Sequence, residues 1–423
     1  MPLTMLKNDR TEELVSYGVQ LARKWKNYFS LEGLLPGINP TEEQKQVVQS
    51  NEKQLLIRGS AGSGKSLMLA YRLIKTMEQA ESPQRILYVT FNETLIQDTY
   101  KRLNLSETYK KLKEEHEVVI RTPRIRMNQT GIKEHESFIE SKIMIVLNEF
   151  HESGEHENFE KLYSTHTPRF LMEEFFWMKA NALITKDRYM SKERTGRGRS
   201  PSVTRKQRAT IFHLFEKYNE FMETRLRVPW LDMEDYALHL LKELKINPNA
   251  TYRFDHVFVD EFQDLQPMQI KSLVKLTKDS ITLVGDDKQR IYKRTPISYK
   301  DLDLRINART NQRLSKNFRS TKQIMNLASS LQFVDVENVR EDNQEFFREG
   351  KKPVIKHFKK ITRMVSELIN KIKDIHWNDP EKTIAVIHRY TPNEIRAGKS
   401  IKNYLDREFD VIGVEKYGNR FDY

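Results

Sequence analysis

Short apolar runs, several ending in glycine or acidic residues, alternate along this chain with stretches whose apolar residues recur at helical spacing. QLLIRG (54–59) is the first clear run, and Leu67, Leu69, Leu73 and Ile74 then repeat with the period of a helix. RILYVTFN (85–92), the apolar-leaning residues 256–259 and the run 281–284 predict further buried strands. Strands separated by helical patterns predict a parallel sheet with crossover helices, an α/β fold. FLMEEFFWM (170–178) is apolar and aromatic enough to form the core face of a helix. Glu114 to Glu160 is charge-mixed and reads as a solvated helical insertion. Runs at about 354–358, 383–388 and 410–414 predict part of a second sheet.

The junction of the first strand and helix carries the first candidate chemistry. GSAGSGKS has the spacing G-x-x-x-x-G-K-S: Gly59, then Ser60, Ala61, Gly62 and Ser63, then Gly64, Lys65 and Ser66. A glycine loop between strand and helix leaves backbone N–H groups unpaired at a helix N-terminus, where they and the helix dipole cradle polyphosphate. Lys65 would reach the outer phosphates and Ser66 would hold Mg²⁺. The same letters in a flexible linker would mean nothing; the strand before and the helix after select the phosphate loop.

Such a loop needs a second strand that carries acid. FDHVFVDEFQD (254–264) ends its apolar run in Asp260 and Glu261. Asp260 at a strand tip can hold the metal, and Glu261 can orient or deprotonate the attacking water. The third run ends in Gly285, Asp286, Asp287 and Gln289, and the 85–92 run in Thr90 and Asn92. Ligands of open α/β sheets bind at the carboxyl ends of strands, so these ends support one another. Gln44 precedes the loop and has an amide able to read an adenine edge; Arg319 could stabilise charge, with Phe318 beside it as a stacking face.

Composition narrows the class. The chain has 423 residues and 38% hydrophobic content, with no long apolar run, which predicts two or three domains and no membrane span. It lacks cysteine, which excludes disulfides and thiolate metal sites and makes a reducing cytoplasm the expected location. A net charge of +13 favours a polyanionic partner. Lys186 to Arg208 holds nine basic and two acidic residues around Tyr189, either a phosphate-tracking surface with an aromatic platform or a solvated loop. HESGEH (151–156) misses both zinc-helix spacings by one position and reads as a solvated charged helix.

Together these residues resemble the UvrD/Rep/PcrA type of superfamily 1 helicases over about Ile38 to Tyr423. Gln44 stands where that family has its Q motif, and GSAGSGKS matches motif I. VTFNETL (89–95), VDEFQD (259–264), VGDDKQRIY (284–292) and LSKNFRST (314–321) are similar to motifs Ia, II, III and IV. The resemblance implies catalytic roles for Lys65, Asp260, Glu261, Gln289 as sensor of the terminal phosphate, and Arg319 as an arginine finger. Ser66 and Asp260 would hold the metal. Phe318 replaces the family's adenine-stacking Tyr. Thr90, Phe91, Asn92 and Tyr292 would meet single-stranded nucleic acid, as would the basic run with Arg194, Arg197 and Arg199. Arg294 stands near the place of the family's base-stacking Trp, and a guanidinium can also stack on a base.

The implied fold is a P-loop NTPase with a RecA-like parallel sheet, a helical basic insertion and a second, incomplete RecA-like domain. The expected divisions are a helical extension at 1–36, the first motor domain at 37–100 plus 215–304, the insertion at 101–214 and the second motor domain from 305 to 423. Nothing after residue 421 resembles motif V or VI, so the expectation is a fragment of a longer helicase or a motor completed by a protein partner. The implied activity is Mg²⁺-dependent ATP hydrolysis that drives 3′ to 5′ translocation on single-stranded DNA and unwinding of duplex. Two alternatives remain: an ATPase of a repair or defence complex that does not unwind, and a protein that binds ATP and DNA without turnover.

Overall fold

The computed structural model describes residues 34–35, 39–91, 93–123, 131–132, 136–154, 167–194, 202–226, 230–232, 234–286, 298–330, 345–346, 348–382, 384–387, 401–405 and 407–409. They fall into two units, Met1–Gly350 and Lys351–Tyr423.

The first unit is built on a parallel sheet of six strands. The strands are β1 (Gln54–Gly59), β2 (Arg85–Val89), β3 (Glu117–Arg121), β4 (Phe254–Val259), β5 (Thr277–Gly285) and β6 (Asn311–Leu314). Their spatial order is β3-β2-β4-β5-β1-β6. The central strands are apolar at successive positions because both faces are covered, and the two-residue period divides each strand between two cores. Leu55 and Ile57 of β1, Ile86 and Tyr88 of β2, and Phe258 of β4 face one core. It is completed by helices α1 (Glu42–Gln49), α2 (Lys65–Gln79), α3 (Glu93–Leu103) and α4 (Glu107–Leu112). Leu56, Leu87, Val257, Val259 and Leu283 point the other way, towards α9 (Asp235–Ile246) and α10 (Pro267–Leu276).

Between β3 and β4 the chain forms a helical subdomain from α5 (Glu136–Glu152), α6 (Pro168–Ala180), α7 (Lys186–Ser191) and α8 (Arg205–Thr224). Its own core includes Phe150, Phe175, Trp177, Tyr189, Phe212, Phe215 and Tyr218. The 170–178 run takes the place expected of it, as the buried face of α6. Thr204 starts α8 with a capping box in which Gln207 returns the bond, so that two N-terminal donors are satisfied.

Three expectations change. Glu117–Arg121, assigned from its charged surroundings to a solvated insertion, is an edge strand paired with β2. Asn311–Leu314, placed beyond the first motor domain, pairs with β1 and ends the same sheet. In the second unit, the apolar residues of 354–358 and 384–387 are not strands. Val354 and Ile355 are 78% and 80% exposed. An apolar run becomes a strand only where a neighbour supplies a hydrogen-bond ladder. The described elements of that unit are α11 (Ile361–Asn378), α12 (Ile401–Leu405) and connecting segments. Residues 410–414 lie outside the described residues, as does most of the expected N-terminal extension.

Candidate active site

Because β4, β5 and β1 are parallel neighbours, the loops that leave their carboxyl ends meet at one edge of the sheet. The loop after β1 is Ser60 to Gly64, and α2 begins at Lys65. Gly62 and Gly64 take φ of +85° and +87°. At Gly62 a Cβ would lie 2.5 Å from the Arg319 Cβ and 2.9 Å from the Asn317 Oδ1, so that only glycine admits the segment packed there. Lys65 is buried, and its ammonium donates to the carbonyls of Gly59 at 2.8 Å and Ser60 at 3.1 Å. Ser63 is buried, and its hydroxyl finds no hydrogen-bond partner among the described residues.

Two segments brace the loop from outside. Thr41 and Gln44 form the capping box of α1, and the Gln44 Nε2 also donates to the Ser63 carbonyl at 3.1 Å. The structure thus brings Gln44 to the loop but uses its amide to hold the loop and the cap. Glu43, its neighbour, accepts from the Ser315 N–H at 2.9 Å. The second brace is the segment after β6. Asn317 is fully buried and its Nδ2 donates to the Ala61 carbonyl at 2.7 Å. Its Oδ1 accepts from the N–H groups of Arg319 and Ser320 at 3.1 and 3.0 Å. The Phe318 N–H donates to the Gly62 carbonyl at 2.9 Å. Arg319 itself is exposed and Phe318 half-buried, both against the loop.

The acidic side is as closely held. Asp260 follows β4, is 4% exposed, and accepts from the Tyr88 hydroxyl at 3.1 Å. Burial, and then the neighbouring Glu261 carboxylate, push its pKa up to about 6; the Ser66 and Tyr88 hydroxyls act against that shift by hydrogen bonding. Glu261 adopts φ +50°, ψ +45°, a left-handed conformation that a non-glycine residue keeps only where its surroundings enforce it. Here the Asp260 carboxylate accepts from the Glu261 N–H at 3.0 Å, and the Glu261 carbonyl accepts from the Asp264 N–H at 2.9 Å. Asp260 and Ser66 offer adjoining hard oxygen donors, the kind that suits Mg²⁺, an ion usually held by one or two carboxylates together with phosphates. No cluster of three or more acidic or histidine ligands forms among the described residues.

The expected nucleic-acid contacts fare differently. Thr90 is fully buried at the end of β2, so its side chain cannot face a nucleic acid; Phe91, next along, is half-buried. Arg194 is spent inside the insertion: its Nε and Nη2 donate to the two oxygens of the buried Glu174 at 2.9 and 2.6 Å. Tyr189, the expected aromatic platform, is wholly buried and donates to the same carboxylate at 2.8 Å. Arg208 lies over the Tyr189 ring at 4.5 Å and donates to the Lys192 carbonyl at 2.9 Å. These flanks of the basic run are structural, because a buried carboxylate requires donors. Asn92, Arg197, Arg199, Gln289, Tyr292 and Arg294 lie outside the described residues. The sequence alone does not single out Tyr88, Gln263 or Asn317. Tyr88 carried one signal, since alternation along β2 sets it on the opposite face from Leu87 and Val89.

Residues 40–294 match the family described as the UvrD/REP helicase N-terminal domain. A probable DNA helicase II homolog of Mycoplasma capricolum is 26% identical over 417 residues, 92% of this chain and 54% of that protein. The ATP-dependent DNA helicase PcrA of Staphylococcus aureus is 25% identical over 323 residues, 68% of this chain and 39% of that protein. The ATP-dependent DNA helicase srs2 of Schizosaccharomyces pombe is 25% identical over 203 residues, 45% and 22% of the two chains. The chain therefore spans about half the length of the first of these relatives and less of the others. No helix among the described residues is long and apolar enough to cross a membrane.

Proposed function

The chain belongs to the UvrD/REP helicase family, and from that premise we propose that it hydrolyses ATP with Mg²⁺ and uses the cycle to move along single-stranded DNA. The observation that carries this reading is the convergence at one sheet edge of a phosphate loop, a metal-competent aspartate and an adjoining glutamate. The Lys65 ammonium already sits on carbonyls of the loop, and the phosphates of a nucleotide would replace those partners with stronger, charged ones. Ser66 and Asp260 would hold Mg²⁺, which supplies charge neutralisation at the phosphates. Glu261 would orient the attacking water and take its proton, held at that place by its left-handed backbone. Arg319 would offer its guanidinium to the transferring phosphoryl group, and Phe318 a face to the base. Gln289 as phosphate sensor, Tyr292 and Arg294 as base contacts, and Arg197 and Arg199 as phosphate contacts belong to this reading by resemblance.

In domain terms, β1 to β6 with their helices form the first motor domain, α5 to α8 the insertion, and the second unit part of the next motor domain. Unwinding and 3′ to 5′ polarity are carried over from the family resemblance. The reading is tested by steady-state ATP turnover with and without single-stranded DNA, followed by strand displacement on a tailed duplex with either a 3′ or a 5′ overhang. Displacement restricted to the 3′-tailed substrate supports it; DNA-stimulated hydrolysis with no displacement from either substrate identifies an ATPase that remodels without unwinding.

A further inference from the structure

Gln263 lies two residues past the proposed water-activating carboxylate, in the short 3-10 turn Phe262–Asp264, and is 2% exposed. Its Nε2 donates to the Glu261 Oε2 at 2.6 Å, while its Oε1 accepts from the Asp286 backbone N–H at 3.0 Å. The orientation of the amide follows from its partners: an ionised carboxylate can only accept and a backbone N–H can only donate. Gln263 therefore bridges the end of β4 to the end of β5. The close approach is built into the neighbouring residue as well. A Cβ on Gly285 would lie 2.1 Å from the Gln263 Oε1 and 2.6 Å from the Phe262 ring, so glycine there is what lets the amide reach the strand end.

We propose that Gln263 is a positioning residue for ATP hydrolysis, which fixes the Glu261 carboxylate and registers it against the carboxyl end of β5. This rests on the reading of Glu261 as the group that activates water. Glu261 hangs from a left-handed backbone at a half-buried position, and Gln263 is what ties its carboxylate to the rest of the sheet. The chain runs from Asp286 directly into the segment that carries Gln289 and Tyr292. A shift at the end of β5 would reach the glutamate through this amide. Gln263 need not touch nucleotide or water to act in this way.

Glutamine is the residue that suits both bonds at this length. Gln263→Glu keeps the shape, sets a second carboxylate against Glu261 and removes the donor. Gln263→Met fills a similar volume and removes both bonds. The experiment is ATP turnover by the full chain across a range of ATP concentrations, with and without single-stranded DNA, for both variants and wild type. Thermal melting is measured in parallel. Misplacing a catalytic group by about 1 Å costs up to a hundredfold. Both variants are expected to lose about ten- to a hundredfold in kcat, with KM for ATP within about twofold of wild type and a smaller stimulation by DNA. A residue that merely packs would let Gln263→Met keep its kcat and its DNA stimulation, and that result overturns the proposal. A parallel loss of melting temperature and ATP affinity in both variants also overturns it. Wild-type protein without Lys65-dependent turnover would instead overturn the reading of the site itself, and this proposal with it.

Discussion

Lys179 offers the sharpest energetic test of how the helical subdomain is fastened to the elements that cover the six-stranded sheet. It lies on α6, 3% exposed, with its ammonium 2.6 Å from the Asp232 carboxylate and 2.8 Å from that of Asp235 at the start of α9. Asp232 is wholly buried and also accepts from the Tyr218 hydroxyl at 3.1 Å and the Glu234 N–H at 3.0 Å. The ammonium lies 5.3 Å from the centre of the Tyr218 ring. Lys179→Met keeps most of the stem's packing and removes the ammonium that pairs with both carboxylates. Losing one member of a buried pair costs about 3–5 kcal/mol, since the partner charge stays in a medium that solvates it poorly. Asp232→Asn on top of Lys179→Met removes one of the stranded charges, so the double variant should be more stable than Lys179→Met alone by about 1–3 kcal/mol. The assay is urea unfolding at pH 7 followed by tryptophan emission, in which Trp177, two residues from Lys179 and 5% exposed, reports on this core. With a slope of about 3 kcal/mol per molar urea, a loss of 3 kcal/mol or more moves the midpoint by roughly 1 M. A Lys179→Met midpoint within experimental error of wild type, or no recovery on adding Asp232→Asn, would refute the reasoning.

The remaining predictions concern the same architecture. Arg72 is buried and binds the carbonyls of Val47, Val48 and Glu52 and the Thr282 hydroxyl, tying α1 to α2 and β5. Arg72→Met orphans those acceptors, at about 1–3 kcal/mol for each left unpaired, and should lower the melting temperature clearly in a thermal scan. Gly62→Ala drives a methyl group into Asn317 and Arg319, and nucleotide titration should show ATP binding at least tenfold weaker. Burial, and then Asp232, push the Asp235 pKa up to about 6, above its ordinary value of 3.8. A raised carboxyl pKa means that the folded state binds the proton more tightly than the unfolded chain. The contribution of Asp235 to stability is therefore greatest below about pH 4 and declines as pH rises to 6. The stability difference between wild type and Asp235→Asn should follow that slope between pH 4 and 6 and flatten above it; a flat difference throughout would contradict the assignment.

Much of this was legible in the sequence for a specific reason. β1, β2, β4 and β5 are covered on both faces, so their residues are apolar in succession and stand out from charged surroundings. The residues that follow them carry the chemistry, and strand order brings those ends together. Within the six-stranded sheet, the two strands that the sequence does not signal are at the edges. EVVIR of β3 is bounded by charges and has one buried side chain, and NQRL of β6 is four residues long and mostly polar. An edge strand owes its place to the ladder offered by its neighbour, which leaves a weak trace in its own composition. The apolar runs of the second unit show the converse, since favourable composition without such a ladder leaves Val354 and Ile355 exposed. The flanks of the basic run show a further limit. A count of charges cannot distinguish an arginine that faces solvent from Arg194, which Glu174 holds from within the fold. Asn317 and Gln263 were hidden because an amide shows its function only through the two partners it joins.

The central claim is that this sheet edge is an ATP-hydrolysing site driven by DNA. The most direct test is ATP turnover by the purified chain in Mg²⁺, with and without single-stranded DNA, beside Lys65→Ala and Glu261→Gln. The account predicts turnover that rises on adding DNA, is abolished by Lys65→Ala together with nucleotide binding, and is lost in Glu261→Gln while ATP still binds. Turnover that ignores DNA, or that survives in Lys65→Ala, would contradict it.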